Sequence, residues 1–141
     1  MEENEFYTAK GYQLKSRLAI TESMEDYLEM ICRHIADTGF LRVNALAELL
    51  NVNPSSASKM TARLKELKLV SFPKYGVITL TDKGREIGEY LLYRHDVLHR
   101  FFCKLNSSTC ELQQVEQIEH FMTEESIKNL DLLLKNGGFD T

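Results

Sequence analysis

Cysteine, proline and long apolar runs are all scarce in this chain, and each scarcity narrows what it can be. Cys32, Cys103 and Cys110 are an odd set with no CxxC pairing. That argues against disulfides and thiolate zinc sites and leaves the thiols as fillers of small apolar gaps. A reducing cytoplasm is the expected location. No run approaches the roughly eighteen apolar residues of a membrane span, so no membrane partner is expected. The acidic start Met1-Glu-Glu-Asn-Glu is unlike a signal peptide. The two prolines, Pro54 and Pro73, fall at predicted breaks. Internal repeats and low-complexity tracts are absent. What remains is ordinary globular material, 43% apolar and 27% charged over 141 residues, enough for one compact domain or a small domain with an appendage.

The net charge of −4 conceals a division. Residues 51–85 carry Lys59, Arg63, Lys65, Lys68, Lys74, Lys83 and Arg85 against Glu66 and Asp82, a local excess of positive charge. Residues 89–141 carry five Lys/Arg against nine acids. A basic segment joined to an acidic one suggests a polyanion-binding part coupled to a cation-binding part.

Periodicity gives the organisation. Residues 1–21 show no sustained period and are read as an arm. From Ser23, Met24, Tyr27, Leu28, Ile31 and Ile35 recur at helical spacing up to Thr38-Gly39, with Ser23 a candidate cap and Asp26 its capping-box partner. Val43–Leu50 predicts a short helix with Leu46, Leu49 and Leu50 facing inward. Asn53 caps the next, with Pro54 in its first turn. That helix turns Ala57, Met60, Leu64 and Leu67 inward and Ser55, Ser56, Ser58, Lys59 and Arg63 outward, where small polar residues on a basic helix permit close approach to a DNA groove. Leu69–Phe72 and Val77–Leu80 then predict a hairpin with a basic, aromatic tip at Lys74 and Tyr75. This order is that of a winged helix-turn-helix. From Thr81 a long helix runs past Phe102, and two shorter ones follow. The expected fold is mainly α: an arm at 1–21, a winged helix-turn-helix of three helices plus a β-hairpin at 22–82, and a helical dimerisation domain at 83–141. A tail this short cannot bury its large apolar residues alone. A homodimer is therefore expected, with Leu112, Ile127, Leu130 and Leu134 at its interface.

Chemistry concentrates elsewhere. Glu116, Glu119 and His120 stand at i, i+3 and i+4, one face of a predicted helix. Asp26 and Glu29 form a second such pair, and His95 lies between the two groups. Four carboxylates and two imidazoles suit hard-to-borderline divalent metals. A solvated polar stripe, with Asp26 only capping its helix, is the competing reading.

Ser23-Met-Glu-Asp-Tyr-Leu-Glu-Met-Ile, Asn53-Pro-Ser-Ser-Ala-Ser-Lys-Met, Tyr93-Arg-His95 and Val115-Glu-Gln-Ile-Glu-His120 together resemble the metal-dependent diphtheria-toxin-repressor family. The likeness is greatest to its short manganese-responsive branch, the manganese transport regulators, and covers roughly residues 22–138. It implies a binuclear metal site, two Mn²⁺ per subunit, with ligands Asp26, Glu29, His95, Glu116, Glu119 and His120, and Glu29 and Glu119 bridging. It implies a homodimer that binds double-stranded operator DNA when metal is abundant and represses metal-uptake genes. The iron-responsive branch has methionine where Asp26 stands and cysteine where Glu116 stands. It also carries a further C-terminal domain that is not expected here. Oxygen-rich ligation avoids the thiolates that favour zinc, while two imidazoles disfavour Mg²⁺ and Ca²⁺. The rival readings are a repressor of the same family answering to iron or zinc, a dinuclear-metal phosphoesterase, and a constitutive winged-helix protein. His34 and His99 are read as structural or surface residues.

Overall fold

The computed structural model describes residues 20–74 and 76–137. The arm expected at 1–21 lies almost wholly outside them, as does Tyr75. The chain forms two units, residues 1–91 and 92–141, and each is described by itself.

In the first unit, helix α1 spans Glu22–Thr38, followed by strand β1 (Leu41–Arg42), helices α2 (Val43–Leu50) and α3 (Pro54–Glu66), strands β2 (Val70–Lys74) and β3 (Val77–Leu80), and the first part of α4 (Asp82–Asn106). Thr21, not Ser23, caps α1, its side chain accepting from the Met24 amide at 3.3 Å. Ser23 is inside the first turn, so the capping box expected of Ser23 and Asp26 does not form. Gly39 closes the helix at φ 84°, a left-handed conformation for which glycine is the usual residue. Asn53 caps α3 as expected, accepting from the Ser56 amide at 2.8 Å, with Pro54 in the first turn.

The sheet contains a strand that periodicity could not reveal, because β1 has only two residues. It pairs antiparallel with β3 (Leu41 with Ile78, Arg42 with Val77), giving the order β1-β3-β2. On the other side Ser71 pairs with Thr79, and the register shifts between Ser71 and Lys74. Pro73 falls within that irregularity on an edge strand, where a missing N–H is tolerated.

The core of this unit joins Leu28 and Ile31 of α1, Leu46 of α2, Ala57 and Leu64 of α3, Ile78 of β3, and Ile87, Tyr90 and Leu91 of α4. Leu49, expected inward, is 41% exposed, and Ala47 takes the inner position. Close packing of α4 depends on Gly88, where an added Cβ would come within 2.7 Å of the Cys32 Cβ. Burial pushes the Cys32 thiol up to about 11, so it stays protonated and inert at neutral pH.

In the second unit α4 continues to Asn106, and Ser107 follows at φ 51°. Helix α5 spans Leu112–Ile118, tightens into a 3-10 turn over Glu119–Phe121, and leads to α6 (Glu124–Lys135), capped by Thr123. Val97, Leu98, Phe102, Val115 and Ile127 form its core. Ile127, expected at a dimer interface, is fully buried within the subunit, while Leu105, Leu112, Phe121, Leu132 and Leu133 are exposed. Cys110 is exposed too, so it fills no gap.

Candidate functional site

The candidate nucleic-acid face is built by α3. Its amphipathic pattern buries Ala57, Thr61 and Leu64 and turns Ser55, Ser56, Ser58, Lys59 and Arg63 to solvent. Part of this helix's start is rigidified locally, because the Ser55 hydroxyl donates to the Asn53 side chain at 2.7 Å. Beside it, Arg42, Asn44, Ser58, Thr61 and Phe72 line an open groove of about 520 Å³. Arg42 and Asn44, exposed beside that face, were missed by sequence reasoning. Arg42 belongs to no helical stripe and is placed by the pairing of β1 with β3, while Asn44 stands in the first turn of α2. Lys74 is the last residue of β2, but its side chain, like Tyr75, lies outside the described residues.

The candidate metal ligands divide between the units. In the first, Asp26 and Glu29 occupy successive turns of α1. Asp26 is exposed and Glu29 half-buried, its carboxylate taking a hydrogen bond from Arg33 at 3.3 Å.

In the second unit the Glu119 carboxylate is buried, 3% exposed. Its Oε2 lies 3.2 Å from His95 Nδ1 and its Oε1 3.7 Å from the Arg94 guanidinium. Two donors each about 2.1 Å from a metal ion, and about 90° apart around it, stand about 3 Å from one another. The His95–Glu119 pair thus has the spacing of two ligands on one ion. Without an ion the same spacing serves a hydrogen bond.

Glu116, Glu119 and His120 do not share one regular helical face as expected. The chain must turn between α5 and α6, and it does so by tightening at Glu119 into the 3-10 form that commonly ends helices. Glu119 is drawn inward, Glu116 stays exposed and His120 is half-buried.

His99 is structural, as expected. Its Nε2 accepts the Glu111 amide at 3.2 Å and lies 3.7 Å from Cys103 Sγ. An accepting Nε2 is not available to a metal, which explains why an imidazole stacked on His95 at 6.4 Å is not part of the donor set. Glu111 itself sits below the usual carboxylate range, because the Ser108 hydroxyl and the Asn106 amide donate to it.

Sequence reasoning also missed Asp131. It is 5% exposed, takes the Tyr93 hydroxyl at 2.6 Å and is paired with Lys135 at 3.1 Å and Arg100 at 3.5 Å. Burial pushes its pKa up, but the hydrogen bonds and charges of Tyr93, Lys135 and Arg100 outweigh that, and the carboxyl sits below its ordinary value. This network ties α6 to α4 at Tyr93 and Arg100, on either side of His95 in the sequence. No periodicity could have flagged it, since an aspartate inside an amphipathic helix ordinarily lies on the wet face.

Residues 19–78 match the family model described as the iron-dependent repressor N-terminal DNA-binding domain. Residues 81–140 match the iron-dependent repressor metal-binding and dimerisation domain. The chain belongs to the iron-dependent repressor family. This is the diphtheria-toxin-repressor family of the sequence resemblance, a family of metal-dependent DNA-binding regulators, not enzymes, which sets the phosphoesterase reading aside. Among solved structures the chain is similar to the manganese regulator SloR (24% identity, TM-score 0.70, 79% of this chain). It is similar also to ScaR with bound Zn²⁺ (25%, 0.67, 79%) and to IdeR of T. acidophilum (28%, 0.58, 80%). It spans about half, 53%, of each of those chains. Among the described residues, no helix is long and apolar enough to cross a membrane.

Proposed function

We propose that this chain is a manganese-responsive transcriptional repressor, a cytoplasmic homodimer that binds operator DNA when a binuclear metal site is filled and so controls metal-uptake genes. One observation carries the reading. In the domain whose family model binds metal, a buried carboxylate and an imidazole stand at ligand spacing, Glu119 Oε2 to His95 Nδ1, 3.2 Å. The ligand set is Asp26, Glu29, His95, Glu116, Glu119 and His120, with two Mn²⁺ per subunit. Its four carboxylates nearly neutralise two dications, and it includes no thiolate to favour zinc. The proposed domains are an arm at 1–21, the winged helix-turn-helix at 22–82 and the metal-binding and dimerisation part at 83–141.

Ser55, Ser56, Ser58, Lys59 and Arg63 would face the groove or its phosphates, with Lys74 and Tyr75 near the backbone. Metal would couple the halves because Asp26 and Glu29 precede the reading helix in sequence while the other ligands lie in the dimerising part. A cluster holding both sets restricts each reading head, so that two α3 helices more often match half-sites about 34–36 Å apart. A hundredfold preference of metal for that arrangement shifts the equilibrium by about 2.7 kcal/mol, ample for a tenfold response. Iron or zinc is the rival effector, since the family models are named for iron and the ScaR structure holds Zn²⁺.

The test is operator binding by purified protein under separate titrations with Mn²⁺, Fe²⁺, Zn²⁺ and Co²⁺. Binding that rises at physiological free Mn²⁺ and is reversed by chelator supports the reading. A response confined to Fe²⁺ or Zn²⁺ transfers it to that metal, and binding indifferent to all four removes it.

A further inference from the structure

Arg94 carries a permanent charge and belongs to neither the proposed DNA-binding face nor the proposed ligand set. It precedes His95 on α4 and is 1% exposed. Its guanidinium lies 3.7 Å from Glu119 Oε1, while the other oxygen of that carboxylate lies 3.2 Å from His95 Nδ1. One buried carboxylate is therefore shared between two consecutive residues of one helix. The imidazole has a lone pair to give a metal. The guanidinium has none and does not lose its proton. Burying a permanent cation is costly, and an apolar side chain of similar volume often serves stability as well. The position of this charge asks for a reason beyond packing.

We propose that Arg94 is a fixed counter-cation at Glu119 that sets the free-metal concentration at which the centre fills. The proposal rests on the reading of Glu119 and His95 as metal ligands. Before metal arrives, the guanidinium offsets the charge of Glu119 and keeps one carboxylate oxygen turned toward His95, so that the ligand pair is already formed. Once a dication binds, the guanidinium cannot leave or discharge, and its repulsion of the ion raises the filling threshold above that of a neutral residue. A sensor gains from this, because a centre that binds too tightly stays loaded whatever the supply. Arg94 is thus a positioning residue that acts through Glu119, touching no DNA and donating to no metal.

The experiment measures Mn²⁺ binding directly, without DNA, from the paramagnetic resonance signal of free Mn²⁺ in the presence of the full chain. Wild type is compared with Arg94→Met, Arg94→Gln and Arg94→Lys. The neutral variants should bind at least tenfold more tightly, and Arg94→Lys, which retains the charge, should stay within about threefold of wild type. A side chain needed only for packing would give the opposite sign, since its loss loosens the ligand pair and weakens binding. Circular dichroism checks folding, and if Arg94→Met fails there, the polar and planar Arg94→Gln carries the comparison with Arg94→Lys. Wild-type or weaker binding by Arg94→Gln, or a gain in Arg94→Lys equal to that of the neutral variants, overturns the proposal. If His95→Ala binds Mn²⁺ as well as wild type, the ligand reading itself fails, whereas unchanged Arg94 variants alongside a weakened His95→Ala sink only the counter-cation.

Discussion

The two units of this chain solve the problem of a hydrophobic core differently. The first closes its core from every element it has: three helices, the sheet and the start of α4 all contribute side chains of zero or near-zero exposure. Among its described residues the second has a core of five buried apolar side chains, Val97, Leu98, Phe102, Val115 and Ile127. It also buries three charged residues, Arg94, Glu119 and Asp131, and leaves Leu105, Leu112, Phe121, Leu132 and Leu133 exposed. Among the described residues the first unit buries one charge, Glu25, and exposes two large apolar side chains, Phe40 and Leu49, so the two units differ in degree. On the proposed reading, the reading head would stand unaided, and the metal-binding half would be completed by ions and by a second copy.

Five substitutions would break or sharpen that contrast. The largest effect belongs to the self-sufficient core. Leu28→Ala empties a position of zero exposure and should cost about 2–5 kcal/mol, measured by denaturant unfolding, with the loss independent of protein concentration. If that loss vanished at high concentration, the first unit would also depend on assembly.

Next comes the unfinished surface. Phe121→Glu places a charge on a side chain 74% exposed in the subunit and should weaken dimerisation about a hundredfold, or about 2.7 kcal/mol, by sedimentation equilibrium. Phe40→Glu, the matching change in the first unit, should leave association unchanged. Equal effects from the two would erase the distinction between the surfaces.

The buried charges give a smaller, pH-dependent effect. Asp131 has a lowered carboxyl in the folded state, so its stabilisation is fully present above the unfolded value of about 3.9 and is lost as pH falls through the lower folded one. Asp131→Asn should therefore cost about 1–3 kcal/mol at pH 7, with the gap from wild type narrowing in acid below about pH 4. A gap that stayed constant from pH 7 to pH 2 would show that the charge plays no part.

Smallest is Lys59→Ala on α3. It should weaken DNA binding broadly across sequences and reduce the slope of log affinity against log salt by about one. An unchanged slope would remove α3 from the phosphate contacts.

How much of this could be read from the sequence depended on distance along the chain. The helices of the first unit were legible because their signals are local: Asn53 and Pro54 open α3, Gly39 closes α1, and apolar residues recur every third or fourth position. The two-residue β1 was not, since its pairing with β3 spans some thirty-five residues and leaves no periodicity. The candidate ligands stood out by residue type, but the bend at Glu119 did not, because it comes from the need to turn into α6. Interface and core were confused at Ile127 for a related reason. Periodicity marks which residues are apolar, and only packing decides whether a given leucine or isoleucine is covered by its own subunit. Arg94 and Asp131 were invisible for the same cause, each buried by partners far away in sequence.

The central claim is that metal acts on a dimer already assembled through apolar surface, reorienting its reading heads without creating the assembly. Sedimentation velocity of chelator-treated protein, then of the same sample with Mn²⁺, tests it most directly. The account predicts a species of about twice the 16.3 kDa chain mass in both, with operator binding only in the second. A monomer that becomes a dimer only when Mn²⁺ is added would contradict it and make metal-driven assembly the switch.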